Sequence, residues 1–413
     1  MEINRKHIFT VIGVSLLFKV LFMIFSYFVL YQGFEPIDLN YYYIHCNLLL
    51  SGQIPYIDFG FDYPPVIFIP ILIAILTTST FTAFSSVFMG LMVLCDVITA
   101  LCVYLLALEV FGKENIAFRA ALLYATALGI AYYTLTKFDA FPTMLLMIAL
   151  LLTIRGFKVR GYYALALGGL AKIFPLVVGP FIFLYNAKKT SVVGEIRSIS
   201  QRVLIPLGAL AAMAVGILIL LPKDTMGSWS RGQIFVNTPV YTLYAFLHDL
   251  LGLTWVSLPS LVSLGYFLLA CVFLLLLYCM FRIPGFAATK RGFLSIVLIA
   301  IFSFVFFWAY HSPQYLFWYI PLIAILIADD IWGMVLFVVV QILAFIEFPQ
   351  MAGYFWSNLS YAFTLDKDPA GWYFTWFFFV VYLTLQVYLV YRAVRTRKVL
   401  STSESNNNYT RSN

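Results

Sequence analysis

Ten apolar stretches, each long or nearly long enough to cross a lipid bilayer, recur along this chain of 413 residues. In hydrocarbon the backbone must satisfy its own hydrogen bonds, and stretches of about 20 apolar residues do so as helices. The stretches run from about 8 to 30, 84 to 110, 118 to 136, 141 to 155, 203 to 222, 256 to 281, 292 to 309, 315 to 330, 331 to 347 and 371 to 391. The sequence therefore predicts an all-α polytopic membrane protein.

Composition agrees with this fold class. Charged residues make up 10% of the chain, against about 25% in soluble domains, and 63% of the residues are hydrophobic. A net charge of +7 would suggest nucleic acid as a partner of a soluble protein, but here it indicates orientation in a membrane. The first stretch lacks a small-residue cleavage site, so we expect a retained span. The five cysteines show no metal-binding spacing, and we interpret them as small side chains of the core.

Two further apolar runs, 64–80 and 162–185, decide the topology. The first opens with Pro64-Pro65, and the second is interrupted at Lys172 and Pro175. If both runs stay on one side, as an interfacial helix and a re-entrant pair, 19 of the 25 lysines and arginines face the cytoplasm, against 14 if both cross. Positive charge concentrates in cytoplasmic loops, so the first arrangement is favoured.

This arrangement predicts a bundle of about 10–12 helices, residues 1–400, with both termini in the cytoplasm. A first outer loop, 31–83, carries interfacial helices, and 223–255 forms a second large outer loop. Residues 401–413, rich in Ser and Asn, are expected to be a disordered tail. All the unusual polar clusters then share the outer face.

Three aspartates in the first outer loop, Asp38, Asp58 and Asp62, are candidates for chemistry, although solvated loop carboxylates are equally common. Asp38 precedes a helix-like segment, 39–51, that would lie in the membrane interface and hold the carboxylate near lipid head groups. An N-cap role would explain the same residue. The sequence leaves both roles open.

Other polar residues lie where apolar runs end or break. Asp139 either pairs locally with Lys137 or serves a functional site. Lys172 lies near the middle of its run without an acidic neighbour, so an anionic partner is expected. His311 is either a hydrogen-bonded interfacial aromatic residue or a catalytic one. Gln314 and Tyr315 are suited to holding a sugar or a phosphate, and Arg231, the only outer arginine, to a second phosphate contact.

Motifs of other enzyme classes are missing from the sequence. It has no Gly-x-x-x-x-Gly-Lys-Ser/Thr loop, no His-Glu-x-x-His, no Cys-x-x-Cys and no Gly-x-Ser-x-Gly. Nucleotide hydrolysis, zinc proteolysis and acyl-serine chemistry therefore lack support.

Six short motifs occur in an order that resembles a known family. They are Asp38-x-x-x-Tyr42, Gly52-x-x-Pro55-Tyr56, Tyr63-Pro64-Pro65, Phe138-Asp139, Lys172-x-x-Pro175 and Ser312-Pro313-Gln314-Tyr315-x-x-Trp318. Together they cover about residues 10–325. In these motifs the chain resembles the GT-C superfamily of integral membrane glycosyltransferases, in particular the polyprenol-phosphate-mannose-dependent mannosyltransferases.

The resemblance implies a GT-C-like bundle in the cell membrane that transfers a hexose, mannose being favoured, from a polyprenyl-phosphate donor. The acceptor would be a glycolipid or lipid-linked glycan on the extracytoplasmic face, and the transfer inverting. Position 40 is Asn40, where this superfamily often has a second carboxylate, so we expect no obligatory metal ion. We also expect no other cofactor and no nucleic-acid partner.

Roles then follow for individual residues. Asp38 would be the general base, because a phosphate leaving group departs without a protonated acid. His311, Lys172 and Arg231 would stabilise the departing phosphate. The remaining predicted donor-binding residues are Gln314, Tyr315, Asp139, Tyr42 and Tyr63.

A transporter or flippase of polyprenyl-linked sugars is the alternative, since it would also explain many spans, a broken helix and a buried lysine. Transporter folds commonly show two related halves, and no such repeat is visible in this sequence. A non-catalytic scaffold would explain none of the outer carboxylates.

Overall fold

A computed structural model describes residues 4–29, 36–188, 191–200, 238–283, 285–308, 312–351 and 368–395. Apart from one isolated β-bridge between Pro55 and Phe59, the regular structure in these ranges is helical. The α-helices are α1 (Arg5–Val29), α2 (Pro36–Leu50), α3 (Phe68–Leu76), α4 (Phe81–Phe111), α5 (Glu114–Ala125), α6 (Leu128–Thr136), α7 (Ala140–Ile154), α8 (Lys158–Ala171), α9 (Gly179–Ala187), α10 (Val192–Ile199), α11 (Pro239–Tyr244), α12 (Leu258–Arg282), α13 (Lys290–Phe307), α14 (Leu316–Leu326), α15 (Ile331–Phe345) and α16 (Pro369–Val394). Short 3-10 turns precede α3, α9 and α14, and π turns follow α11 and α15.

Six of the described helices, α1, α4, α12, α13, α15 and α16, are long and apolar enough to cross a membrane. The pair α5 and α6, bent by 58°, is a seventh candidate if it forms one broken span. The chain is therefore an all-α polytopic membrane protein. Two predicted stretches, 141–155 and 315–330, form the shorter helices α7 and α14, and the stretch 203–222 lies outside the described residues.

Ion pairs join many helix ends at one end of the bundle, which we call the cation-rich end. Glu109, near the end of α4, accepts hydrogen bonds from Arg155 Nε at 3.0 Å and from Lys290 Nζ at 2.5 Å. Two further pairs at helix ends are Arg291 with Asp329, at 3.0 Å, and Arg392 with Asp330, at 2.6 Å. The end of α7 and the start of α13 thus lie together with the end of α4.

The run 162–185 begins and ends at this cation-rich end. Lys158 Nζ, at the start of α8, donates to the backbone carbonyl of Asn186 at 3.2 Å, near the end of α9. Between them the chain rises along the 14 residues of α8, about 21 Å. It reverses at Lys172, whose backbone is extended, and returns through a 3-10 turn and α9. We call the opposite end, where Lys172 meets Asp139, the aspartate end.

The run 64–80 begins and ends at the aspartate end. Tyr63 packs edge-on against Phe138 with ring centroids 4.6 Å apart, next to Asp139. At the other end of the run, Phe81 packs on Tyr43 of α2 at 5.5 Å. Both α2 and the short α3 therefore lie around the start of the long α4, at the aspartate end.

Gly129 in α6 allows this helix to approach α15 closely. A Cβ atom at this position would lie 2.6 Å from the Cβ of Ala344, and the Gly129 N–H donates to Gln341 Oε1 at 3.1 Å. Since the Cβ of Ala344 moves only with its backbone, we expect Gly129→Ala to destabilise the protein by about 1–3 kcal/mol through overpacking. The measurement is the midpoint of thermal unfolding in detergent.

Gly90→Ala in α4 is the matched control, because a Cβ there meets nothing within 4 Å. This substitution should leave the midpoint unchanged or raise it slightly, as expected for alanine in a helix. Equal midpoints for the two variants would contradict the close packing of α6 on α15.

Candidate active site

Asp38 and Lys137 form an ion pair at the aspartate end. Asp38 lies in the first turn of α2, where the partial positive charge of the helix N-terminus favours a carboxylate. Lys137 directly follows α6 with extended backbone. The two side chains remain partly exposed, 22% for Asp38 and 13% for Lys137. This carboxylate is therefore paired with a cation and partly exposed at the surface of the structure.

A second ion pair, buried, lies two residues further along the chain. Asp139 Oδ1 accepts hydrogen bonds from Lys172 Nζ and from Trp318 Nε1, each at 2.7 Å. The Asp139 side chain is fully buried, and the Lys172 side chain is 10% exposed. Asp139 occupies the N-cap position of α7, but its side chain makes no capping hydrogen bond. The sequence left open a local pair between Lys137 and Asp139; in the structure Asp139 pairs with Lys172, and Lys137 with Asp38.

Aromatic rings surround the Lys172 ammonium group. Its Nζ lies 4.9 Å from the ring centre of Phe138, 5.3 Å from Trp318, 5.5 Å from Tyr315 and 6.0 Å from Tyr63. Such contacts stabilise a cation that is removed from water. The anionic partner predicted for Lys172 is thus Asp139, supported by a cage of four rings from three segments of the chain.

Tyr42 connects this cage to α2. It is buried, and its ring packs against Phe138 at 5.8 Å and against Tyr63 at 6.3 Å. Because Tyr42 lies one helical turn after Asp38, this packing fixes the face of α2 that carries the carboxylate. Two predicted donor-binding tyrosines, Tyr42 and Tyr63, therefore lie beside Phe138, between the two ion pairs.

Two buried acceptor atoms of the site lack a hydrogen-bond donor among the described residues: Asp139 Oδ2 and Gln314 Oε1. Gln314 lies one turn before Trp318, the tryptophan that donates to Asp139. Buried acceptors without a donor are uncommon in proteins and cost free energy. Similar atoms occur elsewhere among the described residues, so these two alone do not mark a site.

The other loop aspartates differ from Asp38. Asp58 is used within its own turn, since its Oδ2 accepts from the backbone N–H of Ile54 at 2.7 Å. The backbone N–H of Asp62 donates to the Tyr41 hydroxyl at 3.0 Å.

Two predicted residues, His311 and Arg231, lie outside the described residues, so their roles remain predictions.

The sequence reasoning missed a buried ion pair between α1 and α4. Lys19 Nζ lies 3.3 Å from Asp96 Oδ2, and the Tyr124 hydroxyl donates to Asp96 Oδ1 at 2.7 Å. Lys19 and Asp96 are almost completely buried. The available signal was one ionisable residue near the middle of each apolar run, a position that is rarely tolerated without a partner.

No group of three or more His, Cys, Asp or Glu side chains among the described residues could hold a metal ion. At the aspartate end each of the two site carboxylates, Asp38 and Asp139, is bound by a lysine instead. The expectation that no metal is required remains a prediction.

Comparison with known proteins does not assign the chain to a family. A scan against protein-family models finds no matching model, and a search of curated proteins finds no match either. What the site can do is therefore inferred from its own residues.

Proposed function

We propose that the protein is a membrane hexosyltransferase that uses a polyprenyl-phosphate sugar, mannose being the favoured sugar, and a glycolipid or lipid-linked acceptor. The observation that supports this most is the Asp38 carboxylate, partly exposed in a loop helix at the end of the bundle, beside a lysine and a cluster of aromatic rings. A base, a cation and ring faces are the groups that such a transfer needs.

One carboxylate is sufficient for the proposed reaction. The acceptor hydroxyl oxygen attacks the anomeric carbon, and Asp38 takes the hydroxyl proton as general base. The bond from the anomeric carbon to the phosphate oxygen breaks, and its electron pair leaves on the polyprenyl phosphate. This leaving group needs no protonated acid, in contrast to the alcohols released by glycosidases. Attack opposite the leaving group inverts the anomeric configuration.

Asp139, Lys172 and Trp318 act as positioning residues in this proposal. They join α7, the turn after α8 and α14 through two hydrogen bonds to one carboxylate oxygen. Asp139 is two residues from Lys137, so the buried pair fixes the backbone from which Lys137 reaches Asp38. A buried charge pair with good geometry gives this kind of rigidity.

The aspartate end is proposed to face the outside of the cell. The described lysines and arginines, other than Lys137, Lys172 and the buried Lys19, belong to the cation-rich half, which the positive-inside rule places in the cytoplasm. Both termini then lie in the cytoplasm as well, because α1 begins beside Glu114 and the last turn of α16 carries Arg392, which pairs with Asp330.

A flippase of polyprenyl-linked sugars is the second candidate. The buried pair of Lys19 and Asp96 and the 58° break between α5 and α6 favour it, because transporters use intramembrane charges and discontinuous helices. The pair lies away from Asp38, next to the broken helix through Tyr124.

One assay distinguishes the two candidates. Purified protein in liposomes receives radiolabelled polyprenyl-phosphate-mannose together with a lipid extract of the host. A new labelled glycolipid supports the transferase. Labelled donor that changes leaflet, with no new product, supports the flippase and contradicts the transferase. Protein-free liposomes are the control.

A further inference from the structure

We propose that Lys137 binds the phosphate group of the lipid, which is a diester in the sugar donor and a monoester in the released polyprenyl phosphate. Asp38 then pairs with Lys137 only while no phosphate is bound. The inference rests on the proposed function, because it deepens the account of the same site. It also changes the assignment made from sequence, where His311, Lys172 and Arg231 were the predicted phosphate ligands.

The surroundings of the two lysines decide between them. The carboxylate bound to Lys172 is fully buried, and a tryptophan and three further rings enclose the pair. A phosphate could replace Asp139 there only if a buried carboxylate were left without its cation, which is costly. The carboxylate bound to Lys137 is 22% exposed, so Asp38 can move into water when a second anion arrives.

The backbone around Lys137 is suited to such an exchange. Lys137 lies outside both α6 and α7 with φ −119° and ψ 159°, so its side chain is not fixed on a helix face. The next residue, Phe138, is anchored by Tyr63 and Tyr42. The lysine therefore projects from a fixed backbone and can turn from one anion to another.

The exchange would link binding to catalysis. While Lys137 neutralises Asp38, the carboxylate is a poor proton acceptor. When the lipid phosphate takes over Lys137, Asp38 is released close to the phosphate oxygen that leaves the sugar. Phosphate and Asp38 then compete for the Lys137 ammonium group. This competition predicts that substitutions of Lys137 and of Asp38 change the affinity for phosphate in opposite directions.

Binding of farnesyl phosphate to the purified full-length protein in detergent tests the proposal, with farnesol as the uncharged control. Lys137→Met should weaken binding by about tenfold to a hundredfold, the effect of one charged hydrogen bond. Lys137→Arg should keep most of the affinity. Asp38→Asn should tighten binding by roughly twofold to fivefold, because the competing carboxylate is gone.

Lys172→Met is the comparison variant and should change the affinity less than Lys137→Met. A separate titration with inorganic phosphate, competing against farnesyl phosphate, shows the source of the anion: competition only at much higher concentration supports a lipid-linked phosphate. Inorganic phosphate that binds as tightly as farnesyl phosphate would contradict the lipid assignment. Unchanged affinity in Lys137→Met, or weaker binding in Asp38→Asn, would overturn the proposal.

Folding is checked by the thermal midpoint of each variant. If Lys137→Met does not fold, the affinity of Asp38→Asn for farnesyl phosphate still tests the proposal. A purely structural ion pair gives no reason for this affinity to rise. No sugar or acceptor is present in this experiment. If the protein binds farnesyl phosphate as predicted but transfers no sugar, the proposed function is contradicted and the role of Lys137 is not. If it transfers sugar but Lys137→Met binds farnesyl phosphate normally, the role of Lys137 is contradicted and the proposed function is not.

Discussion

Asp38→Asn is expected to lower the rate of sugar transfer by about 10²- to 10⁴-fold, the range of general base catalysis. Asparagine keeps the size of the side chain and its place in the first turn of α2, but it cannot accept the proton of the acceptor hydroxyl. Because Asp38 and Lys137 are partly exposed, loss of their pair should cost little stability, about 1 kcal/mol or less. The measurement is the initial rate with labelled polyprenyl-phosphate-mannose.

Asp58→Asn is the matched control for this prediction. Asp58 belongs to the same loop, and its carboxylate accepts a hydrogen bond from the backbone of Ile54, which an asparagine oxygen can also accept. The control variant should retain nearly the full rate. If Asp38→Asn keeps more than about a tenth of the wild-type rate, Asp38 is not the general base.

The sequence predicted the helical class and indicated a candidate loop for the site, because both depend on local pattern. Apolar stretches predict helices directly, and carboxylates after the first span indicate the loop that holds Asp38. The need of Lys172 for an anionic partner could also be predicted. The identity of that partner could not, since Asp139 is 33 residues away and meets Lys172 only after α7 and α8 pack side by side.

The number of spanning helices was harder to predict. Hydropathy reports composition and does not reveal where a helix breaks. The stretch 118–136 contains a 58° bend between α5 and α6, and α7 has only 15 residues, about 22 Å. That length is short of the roughly 30 Å of a bilayer core. The pairs of Asp38 with Lys137, Asp139 with Lys172 and Lys19 with Asp96 were missed for a related reason. A charge in an apolar run indicates that it needs a partner, but no local pattern tells which distant residue that partner is.

Lys19→Met is expected to destabilise the protein by about 3–5 kcal/mol, the largest stability effect proposed for this chain. The substitution keeps the length of the side chain but leaves Asp96 charged and fully buried. Its donors among the described residues are then two neutral hydroxyls, Tyr124 at 2.7 Å and Ser15 at 3.5 Å. Thermal unfolding in detergent measures the change. Lys6→Met is the control, because Lys6 is exposed on the same helix, and it should have little effect.

The double variant Lys19→Met with Asp96→Asn should recover much of the lost stability. It removes both charges, and the asparagine oxygen can still accept from Tyr124. Recovery would give a large coupling energy between the two sites, as expected for residues in contact. Additive effects of the two substitutions would contradict the ion pair. If the double variant folds and transfers sugar at the wild-type rate, the ion pair has a structural role and holds α1 against α4. If it folds but no longer moves labelled donor between leaflets, the result supports the flippase.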